Sequence, residues 1–163
     1  MKTVIVGAND AGQRLDKFLS KTFRGLPSSL MYKDIRKKDI KRNGKRCQIN
    51  DRLEEGDILT LYLHDEVLGE ARPVYDFLTA SRQLDIVYED EQILLMHKPV
   101  GLVVHEDEAG SVDTLLNRMK HYLYQQKFYD PHDEQSFAPA LCNRIDRNTA
   151  GIVIAAKNAA ALR

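Results

Sequence analysis

The sequence predicts an α+β fold with two domains, and three observations along the chain support this. Apolar residues recur at helical spacing within residues 13–23, and a second, shorter helical pattern starts at Leu30. Asn43-Gly44 lies between two short runs, which is the strongest sequence signal for a β-hairpin. Farther on, the apolar runs 86–88 and 93–96 flank an acidic turn, as paired strands do.

The first domain is predicted to span residues 1–66 as a small α+β unit. Its second helix runs from Leu30 to about Lys38, with the Ser28-Ser29 pair as a candidate N-cap. The hairpin strands are predicted at residues 40–42 and 45–47, and alternating residues predict a further strand at 58–63.

The rest of the chain is interpreted as a connector and a second domain. Residues 67–84 form the connector, because Gly69 and Pro73 break any long element there. The second domain spans residues 85–163. Its remaining elements are predicted as a helix from Val112 to Leu123, a polar loop at 130–139, a strand at 152–156 and a helix starting at Asn158.

Composition excludes several classes of protein. No apolar stretch approaches the roughly 20 residues that cross a bilayer, so we expect a soluble cytoplasmic protein without membrane contact. Cys47 and Cys142 lie far apart and the histidines lack metal-ligand spacing, so we expect no metal site. The net charge is zero, yet the basic residues are concentrated in the first half of the chain.

A basic cluster between Lys33 and Arg46 is the sharpest electrostatic feature of the sequence. It contains eight basic residues and two acidic ones. A charge run is usually a solvated face, but a basic helix followed by a basic hairpin would form a continuous positive strip. Such a strip can displace counterions from a phosphate backbone, so we expect RNA binding here.

The layout resembles the S-four-like RNA-binding domain, a module named after a ribosomal protein. The resemblance rests on residues 14–19, the basic helix, residues 40–45 and residues 53–58. In that family the basic helix and the hairpin contact structured RNA. The resemblance and the charge pattern together assign RNA binding to Arg14, Lys17, Lys33, Arg36, Lys37, Lys38, Lys41, Arg42, Lys45 and Arg46.

Residues 143–151 place a carboxylate, Asp146, in a turn just before the apolar strand 152–156. Loops anchored by a strand commonly hold reactive groups, and Arg144 and Arg147 flank the aspartate. Without a family comparison this signal is weak, because an aspartate beside asparagine and glycine usually serves the turn itself. Lys98-Pro99-Val100-Gly101 is likewise interpreted as a structural turn rather than an acid-base pair with a histidine.

Three ordered segments resemble the early motifs of RluA-type pseudouridine synthases: residues 86–91, 97–105 and 144–151. The family usually has H-R-L-D-x-x-T-S-G, whereas this chain has Asn143, Ile145 and Ala150 at the histidine, leucine and serine positions. These departures leave the aspartate unchanged and concern the sub-branch and the substrate. The resemblance implies that a mixed, mainly antiparallel β-sheet catalytic domain starts in this chain.

The resemblance further implies isomerisation of uridine to pseudouridine, with Asp146 as the catalytic residue and no cofactor. Arg144, Arg147, Asn148 and Thr149 are assigned to support the active site or a phosphate. The expected partner is RNA, with large-subunit ribosomal RNA favoured because family members with this N-terminal module mostly act there. The whole protein is expected to be a monomer.

The resemblance also implies later motifs beyond Arg163, including a tyrosine that packs on the uracil. We therefore expect this chain to be the first part of a longer synthase, inactive by itself while retaining RNA binding. A non-catalytic RNA-binding factor is the main alternative. A nucleoside or glycoside hydrolase is less favoured, because hydrolysis typically employs two carboxylates and only Asp146 is well placed.

Overall fold

The structure is a computed structural model that describes residues 1–69 and 74–163, and these form two compact units. The first unit contains residues 1–69 and the short segment 134–136, and the second contains residues 74–133 and 137–163. Pro73, named above as a break in the connector, lies outside the described residues. Within these two ranges, no helix combines the length and apolar character that a membrane crossing requires.

The first unit is an antiparallel sheet with helices packed against it. Its elements in chain order are β1 (Lys2–Ile5), α1 (Leu15–Thr22), α2 (Ser28–Lys37), β2 (Ile40–Arg42), β3 (Lys45–Arg46), β4 (Ile58–Leu61) and α3 (Asp65–Leu68). The strand order is β1-β4-β2-β3, and each neighbouring pair is antiparallel. The α+β prediction for this part is confirmed.

The predicted hairpin is confirmed at β2 and β3. Lys41 pairs with Arg46 and Arg42 pairs with Lys45, so that Asn43 and Gly44 form the two-residue turn. Both turn residues have positive φ, 52° and 74°, as a type I′ turn requires. This geometry holds the basic side chains of the two strands close to one another.

The two predicted helices of this unit are present, with a difference at the start of α2. Leu15, Phe18 and Leu19 of α1 are fully buried, which confirms the apolar face predicted from their spacing. The N-cap of α2 is Pro27 rather than a serine, and no side chain caps the helix. The fixed φ of proline, here −64°, directs the chain into the helix at the following residue, so α2 begins two positions earlier than predicted.

The second unit is a four-stranded antiparallel sheet covered by one long helix. Its elements are a 3-10 turn (Asp76–Thr79), β5 (Asp85–Glu89), β6 (Ile93–Lys98), α4 (Leu115–Gln125), β7 (Ala140–Leu141), β8 (Gly151–Ala156) and α5 (Ala159–Leu162). The strand order is β5-β6-β8-β7. The predicted pairing of the two apolar runs is confirmed by β5 and β6, whereas the short edge strand β7 was not predicted.

A buried core joins α4 to the sheet. Met119 and Leu123 of α4 are fully buried together with Leu94 and Met96 of β6, and Phe77 from the 3-10 turn belongs to the same cluster. Alternate residues of β6 therefore point into this core, as the strand period requires. The same alternation also points Lys98, two residues after Met96, towards the interior.

A buried lysine just after β8 makes polar contacts with the end of β5 and the turn that follows it. Lys157, which follows β8 and is buried, donates to a carboxylate oxygen of Glu89 (3.0 Å) and to the carbonyl of Asp90 (2.8 Å), and it lies over the ring of Phe128. Tyr122 donates to the other oxygen of Glu89 (2.6 Å), which raises the pKa of Tyr122 to about 12. This hydrogen bond stabilises the fold below pH 10, the ordinary tyrosine pKa, and the stabilisation is lost as the pH rises towards 12.

We predict that Lys157→Ala lowers the free energy of unfolding by about 2 kcal/mol, because it removes a buried side chain together with its hydrogen bonds to Glu89 and to the Asp90 carbonyl. Chemical denaturation monitored by circular dichroism measures the change. Lys127→Asn is the matched control: it removes an exposed positive charge at a position whose φ of 59° suits asparagine. Equal stability of the two variants would contradict the assignment.

Candidate active site

Asp146 lies in the loop between β7 and β8, with Arg144, Arg147, Asn148 and Thr149, and all five residues are exposed to solvent. The loop turns at Asp146, whose carbonyl accepts a hydrogen bond from the Thr149 amide (3.0 Å). The carboxylate of Asp146 makes no hydrogen bond or ion pair to any residue that the structure describes. An exposed carboxylate of this kind is available to a ligand.

Asn143 anchors the start of this loop to the sheet. Its amide nitrogen donates to the Ile152 carbonyl (3.1 Å), and its amide oxygen accepts from the Ile154 amide (2.7 Å). The Asn143 side chain thus hydrogen-bonds to β8 as a peptide group of a neighbouring strand would, just after β7 has ended. Next to it, the Cys142 amide donates to the Ile154 carbonyl (2.7 Å). The asparagine that departs from the family pattern thus has a structural role in this chain.

Lys98 holds the middle of the loop through the backbone of Arg147. It is the last residue of β6 and is fully buried, and its ammonium group donates to the carbonyls of Pro99 (2.8 Å), Leu102 (2.7 Å) and Arg147 (3.0 Å). The Gly101 amide donates to the same Arg147 carbonyl (2.7 Å). Three carbonyl acceptors satisfy the three protons of a buried ammonium group, so the backbone next to Asp146 is held firmly.

The sequence interpretation of residues 98–101 as a structural turn agrees with these contacts but missed the link to Arg147. A signal for it was present in the sequence. Leu94, Met96 and Lys98 occupy alternate positions of one strand, so the period of two that buries the first two residues also buries the lysine. A lysine on the buried face of a strand needs polar partners, and the carbonyl groups of neighbouring backbone can supply them.

The charges around the loop are mainly positive. Burial lowers the pKa of Lys98 from its usual value, and the negative charge of Asp146 partly opposes that shift. Loss of solvent contact, followed by the cations Arg144 and Lys120, lowers the pKa of His105. The lowered pKa favours the neutral form of His105, and the cations Lys98, Arg144 and Arg147 lie in or beside the loop that carries Asp146.

Arg147 faces a cleft of about 430 Å³ that is also lined by the 99–103 turn, Ser111, Asp113 and Arg118. The guanidinium of Arg147 forms an ion pair with Asp107. The Ser111 amide, and to a smaller degree Arg147, lower the pKa of Asp107 below its usual value. Asp146 itself does not line the cleft, but its neighbour in sequence, Arg147, does.

The basic strip of the first unit, defined here as Lys33, Arg36, Lys37, Lys38, Lys41, Arg42, Lys45 and Arg46, lies on α2, the residue after it, and the β2-β3 hairpin. Six of these eight residues are exposed, and Lys41 and Arg42 are half-buried. Asp34, which lies within this segment, is buried beside Met31 and Ile35 and so leaves the outer face basic. Helix α2 packs next to β2, so the basic residues of the helix and of the hairpin lie on adjoining elements.

Two of the ten residues assigned to RNA binding are engaged in ion pairs. Arg14 pairs with Asp16 (2.8 Å), and Arg42 pairs with Asp57 (2.6 Å). Lys17 is exposed on α1, and the ammonium group of Lys41 lies 5.2 Å from the centre of the Tyr62 ring. The exposed lysines and arginines therefore carry most of the unneutralised charge of the strip.

No group of three histidine, cysteine, aspartate or glutamate residues capable of holding a metal ion occurs within residues 1–69 and 74–163. Of the two cysteines, Cys47 is buried and donates to the Ile40 carbonyl, whereas Cys142 is exposed beside the edge strand.

We predict that Asn143→Ala raises the hydrogen-exchange rate of the Ile154 amide at least about fivefold, because the amide loses an acceptor worth about 1 kcal/mol. Asn143→Asp keeps the acceptor oxygen and should leave the amide protected. Residue-resolved exchange measured by NMR compares the two variants. Unchanged protection in the alanine variant would show that Asn143 does not hold the strand.

Comparison with known proteins gave two family matches. Residues 92–163 match the family described as RNA pseudouridylate synthase, and residues 13–59 match the S4 domain. Both predicted resemblances are confirmed. The S4 match falls on the first unit, and the other match falls on the second unit except for residues 134–136.

Individual relatives agree with these matches. An uncharacterized RNA pseudouridine synthase of Mycoplasma capricolum subsp. capricolum is 39% identical over 97% of this chain and 51% of its own length. The ribosomal large subunit pseudouridine synthases C of Salmonella typhi and Escherichia coli (strain K12) are each 31% identical over 100% of this chain and 48% of their own length. The chain thus spans about half the length of the curated relatives that it matches.

Proposed function

Because the chain belongs to the RNA pseudouridylate synthase family and carries an S4 domain, we propose that the whole protein isomerises specific uridines to pseudouridine in structured RNA. Residues 1–66 are the RNA-binding domain, residues 67–84 the connector, and residues 85–163 the N-terminal portion of the catalytic domain. Asp146 is the catalytic residue.

The reaction exchanges one bond between ribose and uracil for another. The bond between C1′ and N1 breaks, the uracil rotates, and a bond forms between C1′ and C5. The proton on C5 is released to solvent and N1 gains a proton, so the product is an isomer of the substrate. The carboxylate of Asp146 acts on the ribose or the uracil, and the reaction needs no cofactor.

The observation that carries this proposal is an exposed carboxylate on a fixed backbone. Asp146 is solvent-accessible, while its neighbour Arg147 has a carbonyl held by both Lys98 and Gly101. A catalytic group held in place by the fold does not have to be ordered when the substrate binds, which lowers the barrier of the reaction. Arg144, Arg147, Asn148 and Thr149 support the site from the same loop.

RNA capture is assigned to the basic strip together with Arg14 and Lys17. The exposed lysines and arginines neutralise phosphates, and release of counterions favours binding. The target uridine must then leave its stack to reach Asp146, at a cost of a few kcal/mol that is smallest in single-stranded loops. This favours uridines in the loops of folded RNA.

Large-subunit ribosomal RNA is the proposed substrate class, since relatives that align with the entire chain are named ribosomal large subunit pseudouridine synthases. A cytoplasmic location and a monomeric state are proposed with it.

We predict that Asp146→Asn abolishes the activity. The whole protein is incubated with transcribed large-subunit ribosomal RNA carrying tritium at C5 of uridine, and tritium release to water is measured. Release should fall at least about a thousandfold in the variant, because the substitution removes the anionic oxygen that the chemistry requires. RNA affinity should change little.

Glu91→Gln is the control, since Glu91 is an exposed carboxylate in the β5-β6 turn. Equal release by the wild type and Asp146→Asn would refute the catalytic assignment. No release by the wild type, with RNA binding retained, would favour the alternative of a non-catalytic RNA-binding factor.

A further inference from the structure

The guanidinium group of Arg147 is occupied by a carboxylate of the same chain. Asp107, from the segment between the 99–103 turn and α4, forms the ion pair, and its other oxygen accepts from the Ser111 amide (3.3 Å). The two residues are 40 positions apart in sequence. A phosphate offers arginine the same kind of anionic oxygen acceptor as a carboxylate does, so Asp107 occupies a guanidinium group that a phosphate of the RNA could otherwise bind.

A second arginine in the same cleft provides a comparison. Arg118 binds Asp113 through two nitrogens (2.7 Å each) and donates to the Gln83 carbonyl as well (3.3 Å), with only 16% of its side chain exposed. Arg147 has one carboxylate partner and 52% of its side chain exposed. Arg118 is thus a fixed part of the cleft wall, whereas Arg147 is free to exchange its partner.

The side chain of Arg147 is 52% exposed and that of Asp107 27%, and this partly exposed setting decides how easily the exchange occurs. Ion pairs exposed to solvent contribute little free energy, because water and salt screen them. A phosphate can therefore replace Asp107 at a small cost. The main chain of Arg147 is held by Lys98 and Gly101, so its side chain can change partners without moving the backbone beside Asp146.

We propose that Asp107 is an internal substitute for an RNA phosphate: it occupies Arg147 in the free protein and is displaced by the phosphate next to the target nucleotide. The inference rests on the proposed function, because it takes RNA as the ligand of the site. Two roles follow that the family matches leave open. Arg147 contacts a phosphate of the RNA, and Asp107 competes with that phosphate for Arg147.

Competition predicts that removing the internal competitor tightens RNA binding. Asp107→Asn keeps an oxygen that accepts from the Ser111 amide but loses the negative charge. The whole protein with this change should bind a transcribed large-subunit ribosomal RNA fragment about two- to fivefold more tightly, as expected when an exposed ion pair no longer has to be broken. Fluorescence anisotropy at several salt concentrations measures the dissociation constants.

Arg147→Ala should weaken binding. It should also reduce the slope of the logarithm of affinity against the logarithm of salt concentration by about one, as expected when one phosphate contact is lost. In the double variant, Asp107→Asn should not increase RNA affinity above that of Arg147→Ala, because the guanidinium group for which Asp107 competes with the phosphate is gone. Glu108→Gln is the matched control, as it removes one exposed negative charge from the same loop. Thermal unfolding checks that each variant is folded.

Three outcomes would overturn the inference: unchanged or weaker binding by Asp107→Asn, an equal gain from Glu108→Gln, or a gain that persists without Arg147. An equal gain from the control would mean general charge repulsion. Tritium release separates this inference from the proposed function. Loss of the Asp107 effect with release intact overturns only the inference, whereas a retained Asp107 effect without tritium release overturns only the proposed isomerisation.

Discussion

The buried ammonium group of Lys98 is the constraint on which the candidate site depends. Taking a lysine out of water is costly unless each proton finds an acceptor, and three backbone carbonyls provide them. Two of the carbonyls belong to the turn that follows β6, and the third belongs to Arg147. The requirement to satisfy one buried cation therefore joins two loops that are distant in sequence and fixes the backbone next to Asp146.

The other contacts of the loop divide into rigid and exchangeable ones. Asn143 ties its start to β8 through both atoms of its amide, and Gly101 reinforces the carbonyl of Arg147. The side chains of Asp146 and Arg147 remain exposed above this fixed backbone. A site with a rigid backbone and accessible charged side chains suits a ligand that must be positioned accurately while its phosphates replace internal partners.

The sequence predicted the fold because its elements depend on local patterns, whereas Asp146 became a candidate through the family resemblance, since its own local signal is weak. Helical spacing, the Asn43-Gly44 turn and the motif around Asp146 are visible within short windows. The ion pair between Asp107 and Arg147 was beyond such reasoning, since it joins loops whose approach is set by tertiary packing. The same reason explains why the pairing of Arg42 with Asp57 was not foreseen from a cluster of basic residues.

The most direct measurement is a structure of the whole protein with bound substrate RNA. We expect the target uridine to be unstacked, with its ribose or uracil against the carboxylate of Asp146, while the hydrogen bond from Lys98 to the Arg147 carbonyl is kept. A uridine bound away from Asp146, or a rearranged loop in which Lys98 has lost Arg147, would contradict this expectation.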